Sequence, residues 1–101
     1  MAYRVQLTPK SVEDLESIVE FYLSQNDRAA DVVYQSIIQR VSSLEEFPDR
    51  GRVVPEFLDE GMMDYRELIV GNFRIIYRHD AKAVEVIRII DSRKLFEMKI
   101  Q

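Results

Sequence analysis

Residues 65–93 read YRELIVGNFRIIYRHDAKAVEVIRIIDSR, and this stretch decides the fold. Gly71-Asn72 and His79-Asp80-Ala81-Lys82 break it into three apolar runs. The runs are rich in β-branched and aromatic residues: Ile69, Val70, Phe73, Ile75, Ile76, Tyr77, Val84, Val86, Ile87, Ile89 and Ile90. Runs of this composition bounded by turn residues predict strands, here three consecutive antiparallel ones. Arg66, Arg74, Arg78, Arg88 and Arg93 interrupt them. Such a sheet needs its apolar face covered, and the preceding residues supply the cover.

Upstream, Tyr3, Val5 and Leu7 alternate with Arg4 and Gln6, which predicts a short strand over Tyr3–Leu7. Thr8-Pro9 marks a helix start, with Thr as N-cap and Pro at the first helical position. Ser11 is a rival cap, with Asp14 three residues on. Val12, Leu15, Ile18, Val19 and Tyr22 form a helical stripe to about Ser24, and Glu13, Asp14, Glu16 and Glu20 form the outward face. After Gln25-Asn26-Asp27, with Asp27 as the expected cap, a second helix is predicted from about Arg28 to Phe47. Ala30, Val33, Tyr34, Ile37, Val41 and Leu44 recur in it at spacings of three and four. Pro48 is expected to end it. Residues 47–61, punctuated by Pro48, Gly51, Pro55 and Gly61, read as a loop anchored by Val53, Val54, Phe57 and Leu58. The residues after Arg93 read as a tail with one helical turn over 95–100.

The expected order is β-α-α-β-β-β in one domain spanning 1–101. Its fold class is α+β, with a helical hairpin packed on a mostly antiparallel sheet. Leu15, Ile37, Val41, Phe73, Ile75 and Tyr77 are the expected core.

Composition narrows the function. With 101 residues, 47% hydrophobic and 32% charged, the chain suits one modest soluble core. No apolar run approaches the roughly 18 residues of a membrane span, and the N-terminus lacks the apolar core of a signal peptide. A cytoplasmic location follows as an expectation. There is no cysteine, which excludes disulfides, thiolate catalysis and cysteine metal sites. No Gly-rich phosphate loop or metal-spaced His/Asp/Glu cluster is present, so no cofactor or metal is expected. Residues 1–60 hold six Lys+Arg against twelve Asp+Glu; residues 61–101 hold eight against six. An acidic first part argues against sequence-specific DNA binding, although a basic patch on the sheet stays open. The acidic helix residues serve either as a solvated face or as a docking face for a basic partner segment.

The short strand, the helical hairpin, and the segments FPDRGRVVPEF, YRELIVGNFRIIYR and VEVIRIIDSRK together resemble the RelE/ParE superfamily. These are toxins of bacterial type II toxin–antitoxin (plasmid stabilisation) modules. The matching features are Pro48, Gly51 and Arg52 in the loop, Arg66-Glu67-Leu68, and the strand Phe73–Tyr77, in that order. The resemblance implies a growth-inhibiting toxin and a cognate antitoxin lying over the hairpin and sheet. RelE-type members cut mRNA on the ribosome without metal; ParE-type members act on DNA gyrase.

For cleavage beside a 2′-hydroxyl, a base, an acid and positive charge at the phosphorane are required. Under that reading the candidates are Arg66, Glu67, Arg74 and Arg93. Arg74 matches the strand arginine of the RelE type and Arg93 an arginine just past the last strand. The lysines of that type are replaced by Tyr65 and Glu67, its C-terminal tyrosine by Phe96, and the histidine used by other members by Asp91. His79 is expected in a turn, solvated rather than catalytic. Glu67 beside Arg66 reads either as a base held by an arginine or as a cross-strand or surface ion pair worth little. Arg74 and Arg78 read as a solvated outer face or one partly covered by a partner, and the phase of the last strand stays open. The ParE-like reading, with gyrase as target, is favoured over a ribosome-dependent mRNA endonuclease. A toxin that survives only as a binding module is the third reading.

Overall fold

Three capping interactions set where the helices begin. In the computed structural model, which describes residues 2–58, 60–61 and 64–92, strand β1 covers Arg4–Leu7 and helix α1 Pro9–Leu23. Thr8 is the N-cap: its backbone is extended and its hydroxyl accepts from the Ser11 amide at 3.2 Å. Ser11, the rival cap, is buried and donates to the Thr8 carbonyl at 2.9 Å. Helix α2 covers Asp27–Ser43, and its cap is Asn26, not Asp27. Asn26 holds the extended backbone a cap requires, and its Oδ1 accepts from Ala29 N at 2.7 Å. Asp27 is instead the first helical residue, where its charge suits the positive end of the helix dipole.

α2 also stops earlier than its periodicity suggests. After Ser43 the bonding tightens from four-residue to three-residue steps, Leu44 N to the Val41 carbonyl and Glu45 N to that of Ser42. Leu44 is fully buried, and the Glu45 carbonyl accepts from Tyr3 N at 2.7 Å. The chain thus leaves the helix before Pro48 is reached.

The expected 47–61 loop contains two short elements, β2 (Arg52–Val53) and α3 (Pro55–Leu58). β2 pairs antiparallel with β3 (Arg66–Val70), which pairs with β4 (Phe73–His79), which pairs with β5 (Ala83–Asp91). β1 adds to β5 in parallel, so the five-stranded sheet runs β1-β5-β4-β3-β2. Gly71 turns the β3–β4 hairpin with φ 55°, a left-handed conformation at a position that favours glycine. Of the expected loop anchors, Val54 and Phe57 are buried, whereas Leu58 is exposed. No described helix is long and apolar enough to cross a membrane.

β4 lies in the centre of the sheet and is buried on both faces from Phe73 to Tyr77, which is why its sequence does not alternate. Phe73, Ile75 and Tyr77 face the hairpin, joining Leu15, Ile37, Val41 and Leu44. Ile76 faces the other way, into a smaller cluster with Val54 and Phe57. All six residues expected in the core are buried. Val12 and Tyr34, counted in the helical stripes, are exposed.

A register shift settles the phase of β5. Ile76 pairs with Arg88 but Tyr77 pairs with Val86, so Ile87 is an extra residue. This β-bulge lets Val84, Val86 and Ile89 all join the main core despite their odd spacing. Helix α1 occupies the groups the bulge leaves over: Thr8 Oγ1 donates to the Ile87 carbonyl at 3.1 Å. Asp14 Oδ2 accepts from Ile89 N at 2.9 Å and from Arg88 Nε at 2.7 Å. Asp14 is therefore not part of the outward acidic face. It covers a stretch of strand edge beyond the end of β1, where an open ladder would invite another chain. The same contact raises the Arg88 pKa.

Candidate functional site

The hairpin register decides which of the candidate residues meet. Val70 opposite Phe73 puts Glu67 opposite Ile76 and Ile69 opposite Arg74. Glu67 and Arg74 are then diagonal neighbours on one face, within reach of long side chains. Arg74 Nε donates to Glu67 Oε1 at 2.7 Å. The other oxygen of Glu67 accepts from Arg52 Nε at 2.6 Å. Glu56, in α3, takes the far end of Arg74 bidentately, Nη1 at 2.6 Å and Nη2 at 2.7 Å.

Of the readings open for this face, the cross-strand ion pair holds for Glu67, while the surface and solvated readings do not. Glu67 is not a surface partner of Arg66: it is 1% exposed and bridges Arg74 and Arg52. Arg74 is not solvated: it is 5% exposed, because α3 folds over it. Charges are tolerated at that depth only when paired and hydrogen-bonded, and here every described buried side-chain polar atom has a partner. The Glu56 hydrogen bonds, opposed by burial and reinforced by Glu67, raise the Arg74 pKa. Arg78, four residues on, does reach solvent and pairs with Glu85 at 3.1 Å.

Arg66 serves a different structure. Its Nη1 donates to the Gly51 carbonyl at 2.8 Å. Gly51 N in turn donates to the Tyr77 hydroxyl at 2.9 Å, and that hydroxyl donates to the Pro48 carbonyl at 2.7 Å. A Cβ on Gly51 would sit 2.6 Å from the Tyr77 hydroxyl and from the Glu67 carbonyl. The Pro48, Gly51, Arg52 pattern is thus a clamp around one buried phenol, with Arg52 reaching on to Glu67. Burial pushes the Tyr77 pKa up.

His79 is the last residue of β4 rather than a turn residue, and its ring is bonded on both sides. Arg93, the fourth candidate, lies outside the described residues, as do Phe96 and the helical turn expected over 95–100. Among the described residues no cluster could hold a metal ion.

Reasoning from sequence missed Glu56 and Arg52 as partners of this face. For Glu67 and Arg74 the signal existed, since a two-residue turn at Gly71-Asn72 fixes their diagonal. For Glu56 there was none, because only the fold brings α3 over the sheet.

A second feature lies on the hairpin side. A groove of about 560 Å³ runs between α1, α2 and the β3–β4 turn. Tyr22, Ala29, Val32, Val33, Val70 and Phe73 line it, with Arg28 as the charged residue of the lining. Val32 is 56% exposed, and the acidic residues Glu16, Glu20, Asp27 and Asp31 are exposed on the same two helices.

Comparison with curated protein sequences finds no match. Among solved structures, the chain is similar to one described as the chromosomal ParDE toxin–antitoxin system from P. aeruginosa. The TM-score is 0.72 at 22% identity, over 89% of this chain and 96% of that one. At that identity the likeness speaks for the fold: a sheet with helices arranged as in a ParDE chain. The model of the family described as the ParE toxin of the parDE type II toxin-antitoxin system matches residues 5–96. With nearly every described element inside that match, the chain belongs to the ParE toxin family of type II toxin–antitoxin systems.

Proposed function

We propose that the chain inhibits bacterial growth by binding a protein target in the cytoplasm, DNA gyrase, and that a cognate antitoxin silences it. The observation that favours binding over mRNA cleavage is the engagement of Arg74. Its guanidinium already holds Glu56 bidentately and Glu67 through Nε. To take a phosphate it would have to give up carboxylates in a partly dry site, where charge-assisted bonds are strong. Glu67, the candidate base, has one oxygen on Arg74 and the other on Arg52. Arg66 commits Nη1 to a backbone carbonyl. In the alternative, a ribosome-dependent mRNA endonuclease, Arg66, Glu67, Arg74 and Arg93 would share the proton transfers and phosphate binding, and this network would have to open first.

The groove between α1, α2 and the β3–β4 turn is the place for the antitoxin. Its apolar floor suits an amphipathic segment, an acidic side chain of that segment can meet Arg28 in the lining, and the acidic residues exposed on the same two helices suit basic flanks. Inducing the chain alone, with mRNA cleavage and DNA-damage signalling followed separately, tests the target. SOS induction with intact transcripts is the expected result. Transcripts cut at codon boundaries would overturn the gyrase reading, and absence of toxicity would favour a pure binding module.

A further inference from the structure

His79 is the only histidine in the chain, and its ring stands between two oxygen acceptors. Nδ1 lies 2.9 Å from the Asp80 backbone carbonyl, and Nε2 lies 2.7 Å from Asp49 Oδ1. A carbonyl and an ionised carboxylate only accept, and a neutral imidazole has a single N–H to offer. Only the imidazolium satisfies both contacts together. The side chain is 20% exposed, with the Tyr3 ring edge-on at 5.7 Å.

Asp49 belongs to the loop that carries the Tyr77 clamp. Pro48 and Gly51, on either side, are held to the sheet through the Tyr77 hydroxyl, and the Gly51 carbonyl also by Arg66 Nη1, contacts that do not depend on the His79 ring. Asp49 itself is exposed and reaches the sheet end through His79 and, more loosely, Arg66, whose Nε is 3.7 Å from the same oxygen. We propose that His79 is a protonation-operated latch, closed when the ring is charged, that fastens the 48–51 loop to the end of β4. The latch works against a buried clamp that stays shut, so its release loosens Asp49 and Arg50 without opening the core. Exposed Arg50 lies in this loop and exposed Phe47 precedes it, so the latch sets how firmly that surface is presented.

The charged and titratable groups facing the ring come from every element around it. Asp49 approaches from the loop, Arg66 from β3, Asp80 from the following turn and Tyr3 from the start of β1. Asp49 favours the charged ring, and Arg66 opposes it. The exposed Asp80 carboxylate caps its own turn, accepting from Lys82 N at 2.7 Å and Ala83 N at 2.9 Å, and its backbone carbonyl is what meets the ring. The Asp80 carbonyl first, and Asp49 after it, raise the His79 pKa against the opposing cost of burial. A folded value above the unfolded one of about 6.5 means the latch stabilises fully below that pH. The contribution is lost as pH rises through the folded value.

NMR of the labelled full chain tests this across roughly pH 5.5 to 9, the window in which imidazoles titrate. The His79 ring should titrate above the ordinary value, and the amide shifts of Arg50 and Gly51 should move with the same midpoint. Asp49→Asn should lower that midpoint. His79→Gln should lose less thermal stability than the parent chain on going from about pH 6 to about pH 9. A ring midpoint at or below the ordinary value would overturn the latch. So would a midpoint unmoved by Asp49→Asn, or loop amides that ignore the titration. The ring and amide measurements use the parent chain, so they decide the matter even where a variant folds poorly.

Discussion

At the scale of single residues, two buried polar groups hold the sheet to the segment before it, and each makes a different prediction. The Tyr77 hydroxyl both donates and accepts in a site without water-facing area. Tyr77→Phe should leave the Pro48 carbonyl and the Gly51 amide short of a partner, at a cost of about 1–3 kcal/mol in urea unfolding. Gly51→Ala should be destabilising for another reason, a Cβ driven against backbone and ring, by about 1–3 kcal/mol. Parent-like midpoints for both would mean that the clamp contributes nothing. Glu67 offers a sharper contrast. Glu67→Gln removes the charge that bridges two arginines, and should cost about 3–5 kcal/mol. Arg52→Ala removes only the exposed partner, whose loss should fall under about 1 kcal/mol. Equal effects would contradict a buried bridge. The Glu67–Arg74 diagonal was legible in the sequence through turn length and strand parity. Its burial was not, because the cover comes from α3, where Pro55 and Gly61 suggested only a loop.

At the scale of elements, the helical hairpin is stable because its apolar stripes meet the face of β4 and β5, not because of propensity alone. Ile37, with no exposed surface, is the test of that packing. Ile37→Ala should cost about 2–5 kcal/mol, and a soluble variant with an unchanged melting temperature would contradict helix-on-sheet packing. Asn26→Ala, at the start of the same helix, should cost about 1 kcal/mol through the lost cap, with Asp27→Ala costing less. The reverse order would put the cap where the sequence alone suggested it. Strand β5 shows why its phase could not be read beforehand. Alternation assumes a fixed period of two, and the bulge at Ile87 breaks that period between Val86 and Arg88.

At the scale of the whole molecule, the two sides of the sheet are built differently. The hairpin side holds a groove with an apolar floor and Arg28 in its lining, while on the opposite side Arg74 is held by the carboxylates of Glu67 and Glu56. Val32→Glu, exposed in the groove, should leave folding and toxicity intact and abolish rescue by the antitoxin. Its check is co-expression in cells, and continued rescue would move the antitoxin elsewhere. By itself the sequence determined the α+β class, the three-strand core of the sheet, the hairpin that covers it and the core residues. Those follow from local periodicity and turn chemistry, which neighbouring residues carry between them. Tertiary structure alone decided the parallel seating of β1, the bulge in β5, the closure of α3 over Arg74 and the Asp49–His79 contact. Each joins groups far apart in the chain, such as residue 14 with 89 or 56 with 74. Such pairings depend on packing geometry that no local pattern encodes. That is why Tyr65–Arg93 looked like an open arginine-lined face and is, at Arg74, a sealed one.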